Sequence, residues 1–420
     1  MPLRSARGGF AAFGIILAPF FPQIANAQAL SWQQVRDRFE ANNPALRAAD
    51  LGIDEARAAE ITAFLRPNPT ATATLDQFTP FWPHPYQPLS SLLPLVSASY
   101  LHERDGKREL RLESAQKGTQ ITKSQRDDLE RNLVFNLRGA FVQTLQSKSL
   151  LDLAKENLDY YDKVLAVSRD RLAAGDIAQV DMDRLDLQRA QYESDVVNGQ
   201  VDLRTAKIQL LQLLNLQTPV DQFDVSGNFE YTETLFQPDE LKRMALASRP
   251  DLLAAAQTVD KAKTDHNLAV SNGSTDPTFS VDAGRNPPIQ VYMGGSISFP
   301  VRIFDRNQGE KARTEIDIHR AQRLQDAATA QIYSDVDSAV VALNGSLELL
   351  RTYKTKYLDE AVKVRDTISF AYQHGGASLL DFLNAENDYR AIRLSYLQLV
   401  GSWFVAGSQV NLAVGRDVIQ

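Results

Sequence analysis

The residues with the greatest chemical potential lie beside two glycine turns, in segments 200 residues apart. Asp181 follows Gly175 by six residues, and Asp381 follows Gly375 by the same number. The phenol of Tyr372 lies just before the second turn. A phenol can donate a charge-assisted hydrogen bond to a carboxylate, which is worth about 1.5–3 kcal/mol and is therefore breakable. An aspartate in the first turn of a helix can also cap that helix, because its charge suits the helix dipole. The two segments therefore predict breakable polar contacts, helix caps, or both.

The rest of the chain offers no arrangement of residues typical of catalysis or metal binding. Its five histidines are His84, His102, His266, His319 and His374. None of them has metal-ligand spacing to another, and neither HExxH nor CxxC occurs in the sequence. No nucleophile is clustered with a base. We therefore expect neither an enzyme nor a resident metal or cofactor.

The composition and the first residues indicate an exported protein. Arg4 and Arg7 precede an apolar stretch at 10–21, and Ala25-Asn26-Ala27 has the pattern of a cleavage site, so residues 1–27 are predicted to be a signal peptide. The chain contains no cysteine, which excludes disulfides and a lipid-modified N-terminal cysteine. Its formal charge of −7 argues against nucleic-acid binding and, in a duct, would favour cations.

The chain consists of two copies of one unit. The segment from Gly175 to Asp181 corresponds to the segment from Gly375 to Asp381, and Asn43-Pro44-Ala45-Leu46 corresponds to Arg249-Pro250-Asp251-Leu252. Such self-similarity indicates an ancestral duplication. We predict the halves to be residues 28–225 and 226–420.

Each half shows the same order of predicted elements. These are a helix (31–65 and 238–271), two strands (69–78 with 93–103, and 277–284 with 290–303), a very long helix (107–173 and 308–373) and a medium helix (177–216 and 377–414). The long helices carry apolar and small residues at coiled-coil spacing, which favours helices packed side by side along their length. A helix of about 66 residues extends roughly 100 Å, so an elongated hollow cylinder is expected rather than a globule.

The predicted strands alternate between apolar and small polar residues. Phe279, Val281 and Ala283 alternate with Ser280 and Asp282, and the other three strands show the same pattern. This alternation is typical of outer-membrane barrel strands, and it also fits a half-buried soluble sheet. Four strands cannot close a barrel around a channel, so several chains must share one barrel if the strands span a membrane.

The loop between the first two strands is rich in proline and aromatic residues. It runs from Thr79 to Pro88 and contains Phe81, Trp82 and Tyr86. We interpret these rings as an aromatic anchor at the membrane surface, in preference to a ligand site.

The two glycine-turn segments, around Gly175 and Gly375, are called the tips. They resemble the tips of the TolC-like outer-membrane efflux family, and the resemblance covers nearly the whole chain after residue 27. The family pattern is a glycine, then Ser or Thr, then Asp-x-Leu-x-Ala, and the second tip matches it with Gly375, Ser378 and Asp381. The segment from Pro300 to Gly309 resembles the strand-to-helix junction of CzcC-like members, which serve metal-ion efflux.

The resemblance implies a mainly α protein with a small β part that assembles as a homotrimer. Long helical hairpins would form a helical barrel, and four strands per chain would contribute to a shared 12-stranded transmembrane β-barrel in the outer membrane. It further implies that the tips, here Gly175, Gly375 and Ser378, dock on a periplasmic membrane-fusion adaptor, and that an inner-membrane pump of the RND type supplies the energy.

The resemblance also implies a gate at the tips. The family's aspartate and tyrosine that hold the closed state correspond to Asp181 and Tyr372, and the family's ring of aspartates at the constriction corresponds to Asp381. A second family aspartate is replaced by Asn384, which puts a double acidic ring in doubt.

Two other functions fit parts of the sequence. A duct for secreted polypeptides of the type I system would have the same tunnel. A periplasmic coiled-coil scaffold that conducts nothing would explain the helices and the signal peptide, but not four alternating strands placed symmetrically in two repeats.

Overall fold

The two halves build the same series of elements, as the repeat predicts. The computed structural model describes residues 29–77, 92–233, 237–286 and 289–419. The predicted signal peptide and the loop with Phe81, Trp82 and Tyr86 lie outside these residues.

The first half contains α1 (Trp32–Asn42), α2 (Pro44–Phe64), β1 (Thr70–Asp76), β2 (Leu93–Leu101), α3 (Lys107–Ala174) and α4 (Gln179–Leu213). The second half contains α5 (Pro238–Ser248), α6 (Pro250–Asn272), β3 (Thr278–Asn286), β4 (Ile289–Ser298), α7 (Gln308–Thr352), α8 (Leu358–Gln373) and α9 (Leu379–Val414). A short 3₁₀ turn, Val220–Gln222, follows α4. The division between the halves near residue 225 stays a prediction.

The first helix of each half, predicted as continuous, is in fact broken before a proline. The prediction was wrong because the ring of Pro44 removes a backbone donor and forces the preceding residue into an extended conformation. Asn43 has a ψ of 121° and its side chain accepts hydrogen bonds from the backbone of Ala45 and Leu46. Pro250 produces the same break after Arg249. Both halves therefore begin with a short helix followed by a longer one.

The long helices agree closely with the prediction. Helix α3 runs without interruption for 68 residues, which corresponds to roughly 100 Å. Its counterpart is α7, which continues into α8 through a π-helical turn at Tyr353–Tyr357. Among the described residues, no helix is both long and apolar enough to span a membrane.

The four strands form one antiparallel sheet in the order β1-β2-β3-β4. The register places Ala73, Val96, Ala283 and Met293 in one row across the sheet. A neighbouring row on the opposite face holds Thr70, Ser99, Ser280 and Ser296. Because side chains alternate along a strand, one face is apolar and the other is small and polar, as predicted.

The helices pack around α3, which contacts α2, α4, α6 and α9. Three main hydrophobic clusters follow the long axis. One belongs to the first half around Phe39 and Leu137, one belongs to the second half around Ile332 and Trp403, and the third lies at the tips around Tyr161 and Phe382. The start of the described chain is tied to the end of the first half by a parallel bridge between Leu30 and Val225.

The hairpin tips as a candidate gate

Both tips are built on a glycine in the left-handed region. Gly175 has a φ of 84° and Gly375 a φ of 77°, values that residues with a Cβ rarely adopt. At the first tip, the backbone N–H of Asp176 donates to the carbonyl of Arg171 over 2.8 Å. At the second tip, Gly376 donates to the carbonyl of Ala371 over 2.7 Å. These bonds satisfy the last carbonyls of α3 and α8 and allow a tight reversal into α4 and α9.

A shared aromatic core joins the two hairpins just above the turns. Tyr161 of α3 and Tyr192 of α4 stack with their ring centroids 4.4 Å apart. Tyr372 of α8 and Phe382 of α9 stack in the same manner. All four rings are almost completely buried and belong to one cluster. The cluster therefore packs the two tips together as one unit.

Tyr372 contacts the first hairpin through its ring and its backbone. The guanidinium of Arg171 lies 5.2 Å from the ring centroid and donates to the carbonyl oxygen of Tyr372 over 2.6 Å. The phenol oxygen is buried and has no hydrogen-bond partner among the described residues of the single chain. The predicted bond from Tyr372 to Asp181 is therefore absent within one chain, and its formation in an assembled gate stays a prediction.

The two aspartates have different surroundings. Asp181 lies in the first turn of α4, and the cap residue of that helix, Ala178, has no side chain able to bond. Asp381 forms a capping box with Ser378: the Ser378 hydroxyl donates to its carboxylate over 2.7 Å, and the Asp381 N–H donates back to that hydroxyl over 3.2 Å. The hydrogen bond from Ser378 lowers the pKa of Asp381. A capping role is thus present for Asp381 and Ser378.

Asn384, which replaces the second family aspartate, is exposed one turn after Asp381. Its side chain can supply no negative charge. Asn384 therefore cannot add to an acidic ring at this level of α9.

The structure adds a polar layer above the tips that the sequence analysis missed. Tyr160 of α3 donates to Ser369 of α8 over 2.8 Å, and Arg390 of α9 forms an ion pair with Asp195 of α4. Between them lies Glu386, a carboxylate that is only 3% exposed. The one signal for it in the sequence is its helical spacing from Phe382 and Tyr389, which places it on the buried face of α9.

No group of three or more histidine, cysteine, aspartate or glutamate side chains is arranged for metal binding in the part of the chain that the structure describes. The polar residues at the tips are instead spread over four helices. They are suited to holding helices together and to presenting charge.

Comparisons with known proteins agree with this architecture. Residues 241–416 match the family described as outer membrane efflux protein. Over 408 residues the chain is 23% identical to the cobalt-zinc-cadmium resistance protein CzcC of Cupriavidus metallidurans, covering 96% of this chain and 94% of that protein. It is also 23% identical to the cation efflux system protein CusC of Escherichia coli K12 over 284 residues, covering 64% of this chain and 60% of that protein.

Solved structures extend the similarity to the fold. A crystal structure of CusC superposes with a TM-score of 0.76 at 17% identity, covering 95% of this chain and 99% of that chain. The mainly helical fold with its small four-stranded sheet is therefore confirmed.

Proposed function

Because the chain belongs to the TolC-like outer-membrane efflux family, we propose that three copies of it form the passive exit duct of a tripartite efflux system. The duct crosses the outer membrane through the strands and extends into the periplasm through the helices. A periplasmic adaptor docks on the tips, and an inner-membrane pump supplies the energy.

The observation that carries the proposal is the exposed apolar face of the sheet. Met293 is 85% exposed and Leu75 is 71% exposed, and both point to the same face as Val96 and Val281. A contiguous apolar surface of this kind is costly in water and stable against hydrocarbon. The opposite face, rich in threonine and serine, suits a water-filled lumen.

The edges of the sheet support a shared barrel. Strands β1 and β4 form its two edges, so each leaves one row of backbone groups without a strand partner in the described part of the chain. Three chains would supply 12 strands and pair β1 of each copy with β4 of the next. This arrangement satisfies the edges and surrounds a pore with the polar face.

The outer surfaces of the helices support the same assembly. Val180, Leu187, Val201 and Ile208 of α4 recur at multiples of seven residues and are all more than half exposed. Helix α7 carries another exposed apolar series, which includes Ile316, Leu324, Val341 and Leu349. The heptad spacing on α4 indicates contact with another helix, and a neighbouring copy of the chain provides it.

The proposed cargo is a metal cation or another small molecule. The names of CzcC and CusC refer to cation handling, and the negative charge of this chain suits a cation path. The junction at Pro300 to Gly309, which resembles CzcC-like members, has no regular structure before Asn307 begins the cap of α7. Secreted polypeptides are the alternative cargo.

The tips are the proposed docking surface and gate. Gly175, Gly375 and Ser378 are exposed at the end of the helices farthest from the sheet, where an adaptor helix can approach. Asp181, Tyr372 and Asp381 lie within two helical turns of these glycines. Their nearness to the turns supports the proposal that they hold or line the constriction of a closed trimer.

Membrane fractionation followed by light scattering tests the proposal. We expect the protein in the outer-membrane fraction and, after correction for detergent, the mass of a trimer. Recovery in the soluble periplasmic extract would support the non-conducting scaffold, and a monomer or dimer in mild detergent would contradict the shared barrel.

A further inference from the structure

Glu386 is a buried carboxylate that has no part in the gate proposed for Asp181, Tyr372 and Asp381. It lies on α9, it is 3% exposed, and its Oε1 atom has no hydrogen-bond partner among the described residues. The Tyr160 hydroxyl lies close enough to the carboxylate to favour its charged form, but its geometry directs the O–H to Ser369 over 2.8 Å and leaves Oε1 without a donor. A buried carboxylate oxygen without a donor is costly when it is charged.

Two arginines near Glu386 already have other partners. Arg365 of α8 lies over the rings of Tyr160 and Tyr389, at 4.8 and 4.0 Å from their centroids, and also contacts Asp366 over 2.8 Å. Arg390 follows Glu386 by four residues on the same face of α9. It forms an ion pair with Asp195 of α4 and lies 4.3 Å from the ring centroid of Tyr192. This ion pair connects the two hairpins.

The surroundings of Glu386 favour its neutral form. The elements packed around it contribute Tyr160 and Tyr161 from α3, Tyr192 and Asp195 from α4, Arg365 and Asp366 from α8, and Arg390 from α9. Burial raises the pKa of Glu386 to about 7, although Arg365, the Tyr160 hydroxyl and Arg390 act in the opposite direction. The carboxyl group is therefore held partly protonated near neutral pH in the packed arrangement.

We propose that Glu386 is a positioning residue of the gate, whose proton keeps the two hairpins of one chain packed together. This inference rests on the proposed function for its consequence, since spreading of the hairpins opens the duct. When the proton leaves to solvent, the new carboxylate competes with Asp195 for Arg390. The bridge between α9 and α4 then weakens, and water can reach the buried layer.

The direction of the pH effect follows from linkage. An arrangement that exposes Glu386 to water returns its pKa to the ordinary value of 4.5, below the value of about 7 in the packed arrangement. At a pH below the ordinary value, Glu386 is protonated in both arrangements, and the packed arrangement has its full stability relative to the open one. As the pH rises through the interval between the two values, that advantage decreases by at most roughly 300-fold per chain and then stays constant.

Distance measurement between the tips tests the inference without relying on conductance. The chain has no cysteine, so spin labels can be placed on Asp176→Cys and His374→Cys, both exposed at the turns. In detergent-solubilised protein we expect the fraction of long distances between the labels to increase from pH 5 to pH 8. Glu386→Gln, which keeps the shape of the protonated acid, should retain the pH 5 distribution throughout.

Two further variants distinguish the effect of the Glu386 proton from the effect of changing a side chain. Glu386→Asp retains a titratable carboxyl group and should retain a pH-dependent distribution, whereas Glu360→Gln removes an exposed carboxylate from α8 and should follow the parent chain. A Glu386→Gln distribution that changes with pH as the parent does would overturn the proposal, as would a parent distribution independent of pH. If the distances behave as expected but no variant conducts, the duct function fails while the role of Glu386 stands.

Discussion

The ring of Tyr372 stacks on the ring of Phe382, with the centroids 5.0 Å apart and the planes 17° from parallel. This contact connects α8 to α9 across the second tip, and Arg171 of α3 covers the tyrosine from the first hairpin. The ring of Tyr372, rather than its hydroxyl, therefore holds the packing within one chain. Because the hydroxyl is buried and has no hydrogen-bond partner among the described residues, a bond from it to Asp181 in a trimer would require the tip to rearrange.

The double variant Asp181→Ala with Tyr372→Phe should raise single-channel conductance in a planar bilayer. The phenylalanine preserves the stack on Phe382, so the tip should still fold. A phenol-to-carboxylate bond is worth about 1.5–3 kcal/mol, and threefold symmetry repeats it, so its loss shifts the population towards the open state. Asp183→Ala, which removes a neighbouring exposed aspartate of α4, is the control. Unchanged conductance in the double variant would show that the gate lies elsewhere.

Asp381→Asn should reduce cation selectivity and block by divalent ions. Asparagine can still accept the hydrogen bonds of the cap, and Asn384 offers no second charge to compensate. The hydrogen bond from Ser378 lowers the pKa of Asp381. The Asp381 carboxylate is therefore fully charged above the pH at which an ordinary aspartate titrates, and it loses its charge only as the pH falls through the lowered pKa. Reversal potentials measured across a salt gradient check the change, with Asp388→Asn on the same helix as the control. Equal selectivity in the two variants would restrict Asp381 to capping.

The large features of the fold could be predicted because each depends on a repeated local pattern. The seam spacing of α3 and the alternation in β3 extend over many residues, so single exceptions do not obscure them. The break between Asn43 and Pro44 was missed because the predicted helix gave the apolar spacing more weight than the proline. Pro44 ends the preceding helix despite the apolar spacing, because its ring nitrogen carries no N–H to donate.

The polar layer around Glu386 could not be predicted, because it depends on which helices meet. Glu386 and Asp195 are 191 residues apart and belong to different hairpins. Nothing in either segment shows that Arg390, one turn after Glu386, pairs with Asp195. The family pattern pointed to Tyr372, but only the packing shows that its hydroxyl has no partner among the described residues.

Replacing both turn glycines with leucine should abolish export while leaving trimers in the membrane. Gly175→Ala with Gly375→Ala is the matched control, since alanine carries the same left-handed strain of roughly 1–2 kcal/mol per position without the bulk. A Cβ at either position meets no atom within 4 Å, so the alanine pair should still assemble. Export by the intact efflux system is the measurement. Normal export by the leucine pair would exclude these surfaces from docking.

Val201→Glu should weaken trimer formation. Val201 is 56% exposed on the α4 series, and a carboxylate there would be buried without a partner against the neighbouring copy. The adjacent Gln200→Glu adds the same charge one residue away from the series and should assemble normally. Light scattering in mild detergent reports the mass of each variant. Trimers of equal stability in both would place the subunit interface on another face.

Single-channel recording of the purified protein in a planar bilayer tests the duct most directly. If three copies enclose a water-filled pore, the protein should produce discrete ionic current steps. If Asp381 lines the constriction as proposed, the current should also favour cations. Trimers that insert into the bilayer yet carry no current, in the parent chain and in the Asp181→Ala, Tyr372→Phe variant alike, would contradict the duct.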